Sequence, residues 1–217
     1  MADSAGRSYV PAAGKHWRLP FYDLMAKVLG ADSARLLLAE QAACGAGDRV
    51  LEIGCGTGSL LLLVKKTQPG AEVVGLDPDP NALAIARRKA AKAGVSFQLD
   101  QGFADALPYP DASFDRVLSS FMYHHLSRQV KENTLREVRR VLKPGGRFHM
   151  VDFAPGGSNK RGFLGHLIHA DRHLRDNAED RVLDAMRAAG LADAQLLARR
   201  PSRIGASAYY QATVPTA

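Results

Sequence analysis

Val50-Leu51-Glu52-Ile53-Gly54-Cys55-Gly56-Thr57-Gly58 is the stretch that decides the fold. Val50, Leu51 and Ile53 form a short apolar run that reads as a buried strand. The three glycines break that run into a turn, and Leu60 to Val64 open an apolar helix. Strand, glycine turn and helix in this order make the nucleotide-cradling corner of an α/β sheet. Glycine lets the backbone pass close to a ligand, and the first N–H groups of the helix face it. Nicotinamide-dependent dehydrogenases carry a similar turn, so the triplet alone does not choose the ligand. Two details do: the spacing is GxGxG rather than GxGxxG, and an acid, Glu52, stands two residues before the first glycine.

Four further segments follow in order. Val73-Val74-Gly75-Leu76-Asp77 reads as a second strand ending in an acid, 21 residues after Gly56. A carboxylate there can accept both hydroxyls of a ribose. Residues 97–107 read as a third strand and loop, 114–121 as a fourth strand, and Lys143-Pro144-Gly145-Gly146 as a turn into a fifth, Arg147–Phe153. Together with the glycine turn, these five matches resemble the class I S-adenosylmethionine (SAM) methyltransferases, over residues 50–153. The resemblance implies a Rossmann-like, seven-stranded, mostly parallel sheet with one antiparallel strand, helices on both faces and an N-terminal helical cap. It implies SAM as cofactor and S-adenosylhomocysteine as product. The cofactor-binding set it implies is Glu52, Gly54, Cys55, Gly56, Thr57 and Gly58 in the turn, and Asp77 and Pro78 after the second strand. Phe103, Ala104, Asp105 and Ala106 follow, with Asp105 facing the adenine amino group, and then Ser119 and Ser120 beneath the methyl group.

Methyl transfer from a sulfonium needs neither metal nor covalent nucleophile, because the positive charge already activates the carbon. The protein supplies orientation and, where the acceptor carries a proton, a base. His124-His125 ends the fourth strand, nearest the transferring methyl, and histidine serves as a base near neutral pH. In the phosphobase methyltransferases, which this stretch resembles, the histidine matching His125 pairs with an N-terminal tyrosine. Tyr22 or Tyr9 is the expected counterpart, so the candidate catalytic group is His125, Tyr22 and His124, with His125 the first choice. Phe21-Tyr22-Asp23-Leu24-Met25 is similar to the Tyr-Asp-Leu-Met entrance of the quinone C-methyltransferases of the small-molecule, type 11 kind. The characteristic Arg-Asn-Val of that family is replaced by Met122-Tyr123-His124-His125. Trp17, His166, His169 and His173 are candidate acceptor-pocket residues.

Bulk properties bound the alternatives. The chain has 217 residues, 46% of them apolar and 24% charged, which suits one soluble domain. It reads as a single domain: a cap at 1–45, a cofactor-binding core at 46–153, a substrate-side insertion at 154–177, and a closing helix and strands at 178–217. The segment 1–25 is expected to act as a lid. No apolar run or leader signals a membrane span or export, and Cys44 and Cys55 are the only cysteines, so a cytoplasmic location is expected, with no metal. The net charge of +7 raises an anionic partner such as RNA. Aromatics are not interleaved with the basic clusters, however, and the base-gripping Asn/Asp-Pro-Pro-Tyr/Phe tetrapeptide is absent after the fourth strand. The expected acceptor is therefore a small molecule, met by a monomer or homodimer. An RNA methyltransferase and a non-catalytic SAM-binding regulator stand as alternatives, and a nicotinamide oxidoreductase lacks its GxGxxG.

Overall fold

The computed structural model describes residues 30–154, 179–202 and 205–216. The expectations for the lid, Tyr9, Trp17, Tyr22, the insertion and its three histidines lie outside these residues. In chain order the elements are α1 (Ala31–Ala42), β1 (Arg49–Ile53), α2 (Ser59–Thr67), β2 (Glu72–Asp77), α3 (Pro80–Ala93), β3 (Gln98–Gln101) and β4 (Phe114–Ser120). A 3-10 turn (Tyr123–His125) precedes α4 (Arg128–Val141), β5 (Leu142–Ala154), α5 (Glu179–Ala188), β6 (Ala192–Ser202) and β7 (Gly205–Thr213).

The seven strands form one sheet in the order β3-β2-β1-β4-β5-β7-β6. Pairing is parallel from β3 through β5, whereas β7 runs antiparallel to both β5 and β6. The expected antiparallel strand is thus inserted between the fifth and sixth. From β1 the chain winds outward in one direction through β2 and β3, then returns to continue on the other side through β4 and β5. The crevice at the C-terminal ends of β1 and β4 is therefore the topological switch point, where open α/β sheets bind ligands.

Strands buried on both faces read as nearly continuous apolar runs, and Val50, Leu51, Ile53, Val73, Val74 and Leu76 are all buried. One core, with Leu135, Val138, Val182 and Met186, packs α4 and α5 on one face. The other, with Leu38, Leu60, Leu61 and Leu83, packs α1, α2 and α3 on the opposite face. The described part of the expected cap, α1, thus lies against the sheet through Ala34, Leu38 and Ala42.

Local signals set the helix ends. Asp79 caps α3 by accepting the Asn81 N–H at 2.9 Å, Pro80 supplies a preset φ at its first position, and Gly94 ends it in the left-handed region. Ser127 occupies the N-cap position of α4, as expected, but its hydroxyl makes no capping bond. The fifth strand begins at Leu142, earlier than the glycine turn implied. Leu142 pairs with Phe114, the register then slips, and pairing resumes at Arg116–Arg147. Lys143-Pro144-Gly145-Gly146 is therefore an irregularity inside the strand, with Gly145 at φ +76.

Candidate active site

The glycine turn is held from below by β2. The Gly54 and Cys55 N–H groups donate to the Leu76 carbonyl at 2.8 and 3.0 Å, and the Gly56 N–H donates to Asp77 Oδ2 at 2.8 Å. All three glycines have positive φ, yet their surroundings differ. A Cβ on Gly54 would fall inside the Met122 side chain, and one on Gly58 would lie 2.9 Å from Ala86 Cβ. A Cβ on Gly56 would meet no atom of the described residues within 4 Å. Gly54 admits the segment after β4 and Gly58 admits α3, whereas no described residue packs against Gly56. Cys55 turns its buried side chain inward, where its sulfur bounds the space at Gly75. Thr57 is buried and receives the Lys89 ammonium at 3.3 Å.

Asp77 does more than end a strand. Its Oδ1 accepts the Asp79 N–H at 2.9 Å while Oδ2 holds Gly56, so one carboxylate ties the glycine turn to the start of α3. Burial pushes its carboxyl up to about 6, with the two backbone N–H groups opposing. The loop after β3 is brought alongside: the Gly102 N–H donates to the Asp77 carbonyl at 3.2 Å, and Phe103 and Ala106 bridge each other. Asp105 is half-buried in that loop, and Pro78 is half-buried beside it. Arg140 clamps the chain beyond, donating to the Leu107 and Tyr109 carbonyls at 3.0 and 2.8 Å.

Glu52 lies beneath the turn and is 1% exposed. Its Oε1 accepts the Ser120 hydroxyl at 3.0 Å, and its Oε2 finds no hydrogen-bond partner among the described residues. Burial pushes its carboxyl up to about 8, which the Arg35 charge, the Ser120 hydroxyl and the Leu61 backbone offset only in part. Ser119, on the opposite face of β4, is fully buried. An orphaned buried carboxyl oxygen beside the glycine turn, flanked by a second acid at the next strand end, is an acceptor set that fits the ammonium of an amino-acid tail and the hydroxyls of a ribose. SAM carries both.

At the end of β4 the chain turns sharply. Phe121 has φ +54, a costly value for a bulky residue. The turn throws Met122 over Gly54 and brings His124 to the end of β5. There the Asp152 carboxylate, 1% exposed, accepts the His124 N–H at 2.9 Å and the Phe153 N–H at 2.7 Å. His124 Nδ1 stands 2.6 Å from Asp152 Oδ1. Burial alone would raise the Asp152 carboxyl, but His124 and the two backbone donors bring it below its ordinary value. The His124 ring packs between those of His125 and Phe153, with centroids 3.9 and 4.9 Å away. The carboxylate therefore serves His124, whereas the residue pattern put His125 first. Asp152 went unremarked in the sequence, although an acid closing an apolar strand is the same signal that exposed Asp77.

Among the described residues no group of His, Cys, Asp and Glu could hold a metal ion, and no helix is long and apolar enough to cross a membrane. Cys44 and Cys55 are both free and buried.

This sheet order, with its glycine turn and strand-end acids, gives the chain a fold similar to that of SAM-dependent methyltransferases. Residues 50–146 match the family model described as a methyltransferase domain. The chain is 42% identical over 139 residues to the demethylmenaquinone methyltransferase of Thermus thermophilus, covering 63% of this chain and 62% of that protein. It is 39% identical to the enzyme of the same name from Deinococcus radiodurans, over 64% of this chain and 58% of that protein. The chain thus spans about 60% of the length of these curated relatives. In fold it is similar to a SAM-dependent methyltransferase from Aquifex aeolicus, with a TM-score of 0.69 at 18% identity, covering 92% and 98% of the two chains.

Proposed function

We propose that this chain is a SAM-dependent methyltransferase whose acceptor is a small aromatic molecule that gives up a proton. The observation that carries the cofactor half is the buried, half-satisfied Glu52 carboxyl beside the glycine turn. When bound, SAM supplies a methyl carbon already activated by its positive sulfur. Glu52, ionised, would hold the cofactor's ammonium. Asp77 would take the ribose hydroxyls on the lone pairs its two backbone bonds leave over, since each carboxylate oxygen accepts more than one donor. Asp105 and the 103–106 loop would face the adenine, and Gly54, Met122 and Ser120 would wall the methyl end.

The acceptor half rests on His124. Asp152 takes the Nδ1–H, which fixes the tautomer and leaves Nε2 as the nitrogen for chemistry. Nε2 takes the acceptor's proton, and Asp152 stabilises the resulting imidazolium. The relatives named demethylmenaquinone methyltransferase favour a quinol-like acceptor, whose hydroxyl proton suits a histidine base. The buried free cysteines accord with a cytoplasmic location, and we take the protein to be a monomer or homodimer.

The test is production of S-adenosylhomocysteine from SAM with a panel of hydroxylated aromatics, a demethylated naphthoquinol and bulk RNA. Turnover on an aromatic acceptor is expected. His124→Ala should lower kcat with S-adenosylhomocysteine affinity intact, and His125→Ala should do so less. Preference for NADH over SAM would sink the cofactor reading. Faster methylation of RNA would replace the acceptor, and cofactor binding without turnover on any acceptor would mark a regulator.

A further inference from the structure

The loop between β3 and β4 is gripped by the C-terminal half of α4. We propose that Glu137 and Arg140 of α4 are positioning residues that set residues 103–106 for adenine and so make the domain selective for that base. The inference rests on the proposed placement of Asp105 against the adenine amino group.

The grip closes on one residue. The Leu107 N–H donates to Glu137 Oε2 at 2.7 Å, and the Leu107 carbonyl accepts from Arg140 Nη2 at 3.0 Å. Arg140 in turn meets both Glu137 oxygens, through Nε and Nη2, at 2.8 Å each. Such a two-pronged pair fixes direction as well as distance. The Arg140 hydrogen bonds also hold the Glu137 carboxyl below its ordinary value, so the acceptor of the Leu107 N–H stays ionised at neutral pH. Arg140 Nη1 continues along the loop to the Tyr109 carbonyl at 2.8 Å. Further on, the Ala112 and Ser113 N–H groups donate to the Arg140 and Val141 carbonyls at 2.9 and 2.8 Å. These are carbonyls that the last turn of a helix leaves without an intrahelical partner.

At its other end the loop is tied to the crevice, where the Gly102 N–H meets the Asp77 carbonyl at 3.2 Å. Residues 103–106 are the whole arc between the two anchors, and a bridge from Phe103 to Ala106 closes it around Asp105. An arc pinned at both ends has little freedom left to lose when a base arrives, so its carboxylate meets a donor at a preset place. An adenine amino group donates there. A 6-oxo group would set oxygen against oxygen, and the penalty lasts only while the arc cannot move away.

Calorimetry on the full chain compares S-adenosylhomocysteine with S-inosylhomocysteine, its 6-oxo analogue. The parent should favour the adenine form by about 10²-fold, the reach of one charge-assisted hydrogen bond. Arg140→Lys keeps the charge but cannot fork across the Leu107 and Tyr109 carbonyls, and it should cut that ratio by about tenfold. Glu137→Ala should do the same. Glu137→Gln, whose amide oxygen still accepts the Leu107 N–H, should recover part of the loss. Arg128→Ala, which removes an exposed ion pair at the far end of α4, should keep the parent ratio. If Arg140→Lys fails to fold, the two Glu137 variants decide. A parent that binds both ligands equally overturns the proposal. So does a loss of affinity shared equally by both ligands in the clamp variants, which would leave Glu137 and Arg140 as supports of the fold alone. Asp105→Ala tests the reading beneath: a parent-like ratio there removes Asp105 as the base-facing group, and the clamp then falls too unless its own variants lower the ratio.

Discussion

Glu52 and Asp152 are both carboxyls at the ends of neighbouring parts of one sheet, and each is 1% exposed, yet their environments oppose each other. Glu52 receives one hydroxyl and keeps one oxygen unsatisfied, and burial drives its carboxyl up to about 8. Asp152 receives two backbone N–H groups and an imidazole, and is pulled below its ordinary value. Burial opposes charge in both, and the sign is decided by how far the nearby positive group and the hydrogen-bond donors offset it: His124 and two backbone N–H groups do so at Asp152, whereas Arg35 and one hydroxyl fall short at Glu52. A carboxyl left short of donors is a receptor for a positive group brought by a ligand. A saturated one is a finished device that orients its partner. The two ends of the crevice therefore differ as the proposed roles require: one carboxyl is short of donors, and the other is held by an imidazole and two backbone N–H groups.

Breaking the saturated end should have the largest effect. Asp152→Asn leaves a buried amide opposite His124 and releases the tautomer, so kcat should fall by about 10²–10⁴, the range for losing an oriented base. Steady-state kinetics with a S-adenosylhomocysteine titration checks this, and a parallel fall in cofactor affinity would return Asp152 to a structural role. Its stabilising contribution should be present above the ordinary carboxylate value near pH 3.8 and lost as pH falls below it, because its native pKa is depressed. An acid melt compared with that of the asparagine variant reads that difference.

At the unsatisfied end, Asp77→Ala should weaken S-adenosylhomocysteine by about 1.5–3 kcal/mol, and it should also lower Tm, since Gly56 and Asp79 lose their shared acceptor. The glycines separate the two consequences. Gly54→Ala should damage cofactor affinity by displacing Met122, whereas Gly58→Ala should act chiefly on stability through Ala86, at about 1–3 kcal/mol. Equal behaviour of the two variants in binding and melting would remove the distinction.

Glu52 sets a pH dependence of its own. Its native carboxyl stands at about 8 against an ordinary 4.5, so the neutral form stabilises the free protein. That contribution is complete below the ordinary value and drains as pH rises through the native one. A bound ammonium requires the ionised form, so binding at pH 7 should expel about one proton, and affinity should climb toward pH 8. Calorimetry in buffers of different ionisation enthalpy measures the proton, and Glu52→Gln should abolish its release. Ser120→Ala should give the smallest change, about 0.5–1.5 kcal/mol in stability for one hydrogen bond. A pH profile of binding that did not shift upward in this variant would mean that the Ser120 hydroxyl does not favour the ionised carboxyl.

Much of this was legible along the chain because the signals are local. An apolar run broken by glycines, acids closing strands, and Pro80 and Gly94 at the two ends of α3 all depend on a few neighbouring residues. They determined the strand and helix order and located Glu52, Gly56 and Asp77. The tertiary structure alone decided which histidine the Asp152 carboxylate holds. Ser120 pairs with Val151 when β4 lies beside β5, and only that register brings Asp152 to His124 across 28 residues of chain. It also decided that Gly54 and Gly58 make room for Met122 and Ala86 while no described residue packs against Gly56, a distinction invisible in GxGxG. Turn chemistry and periodicity act over a few residues and are written in the sequence in order. Contacts between strand ends depend on sheet order and register, which the whole fold sets at once.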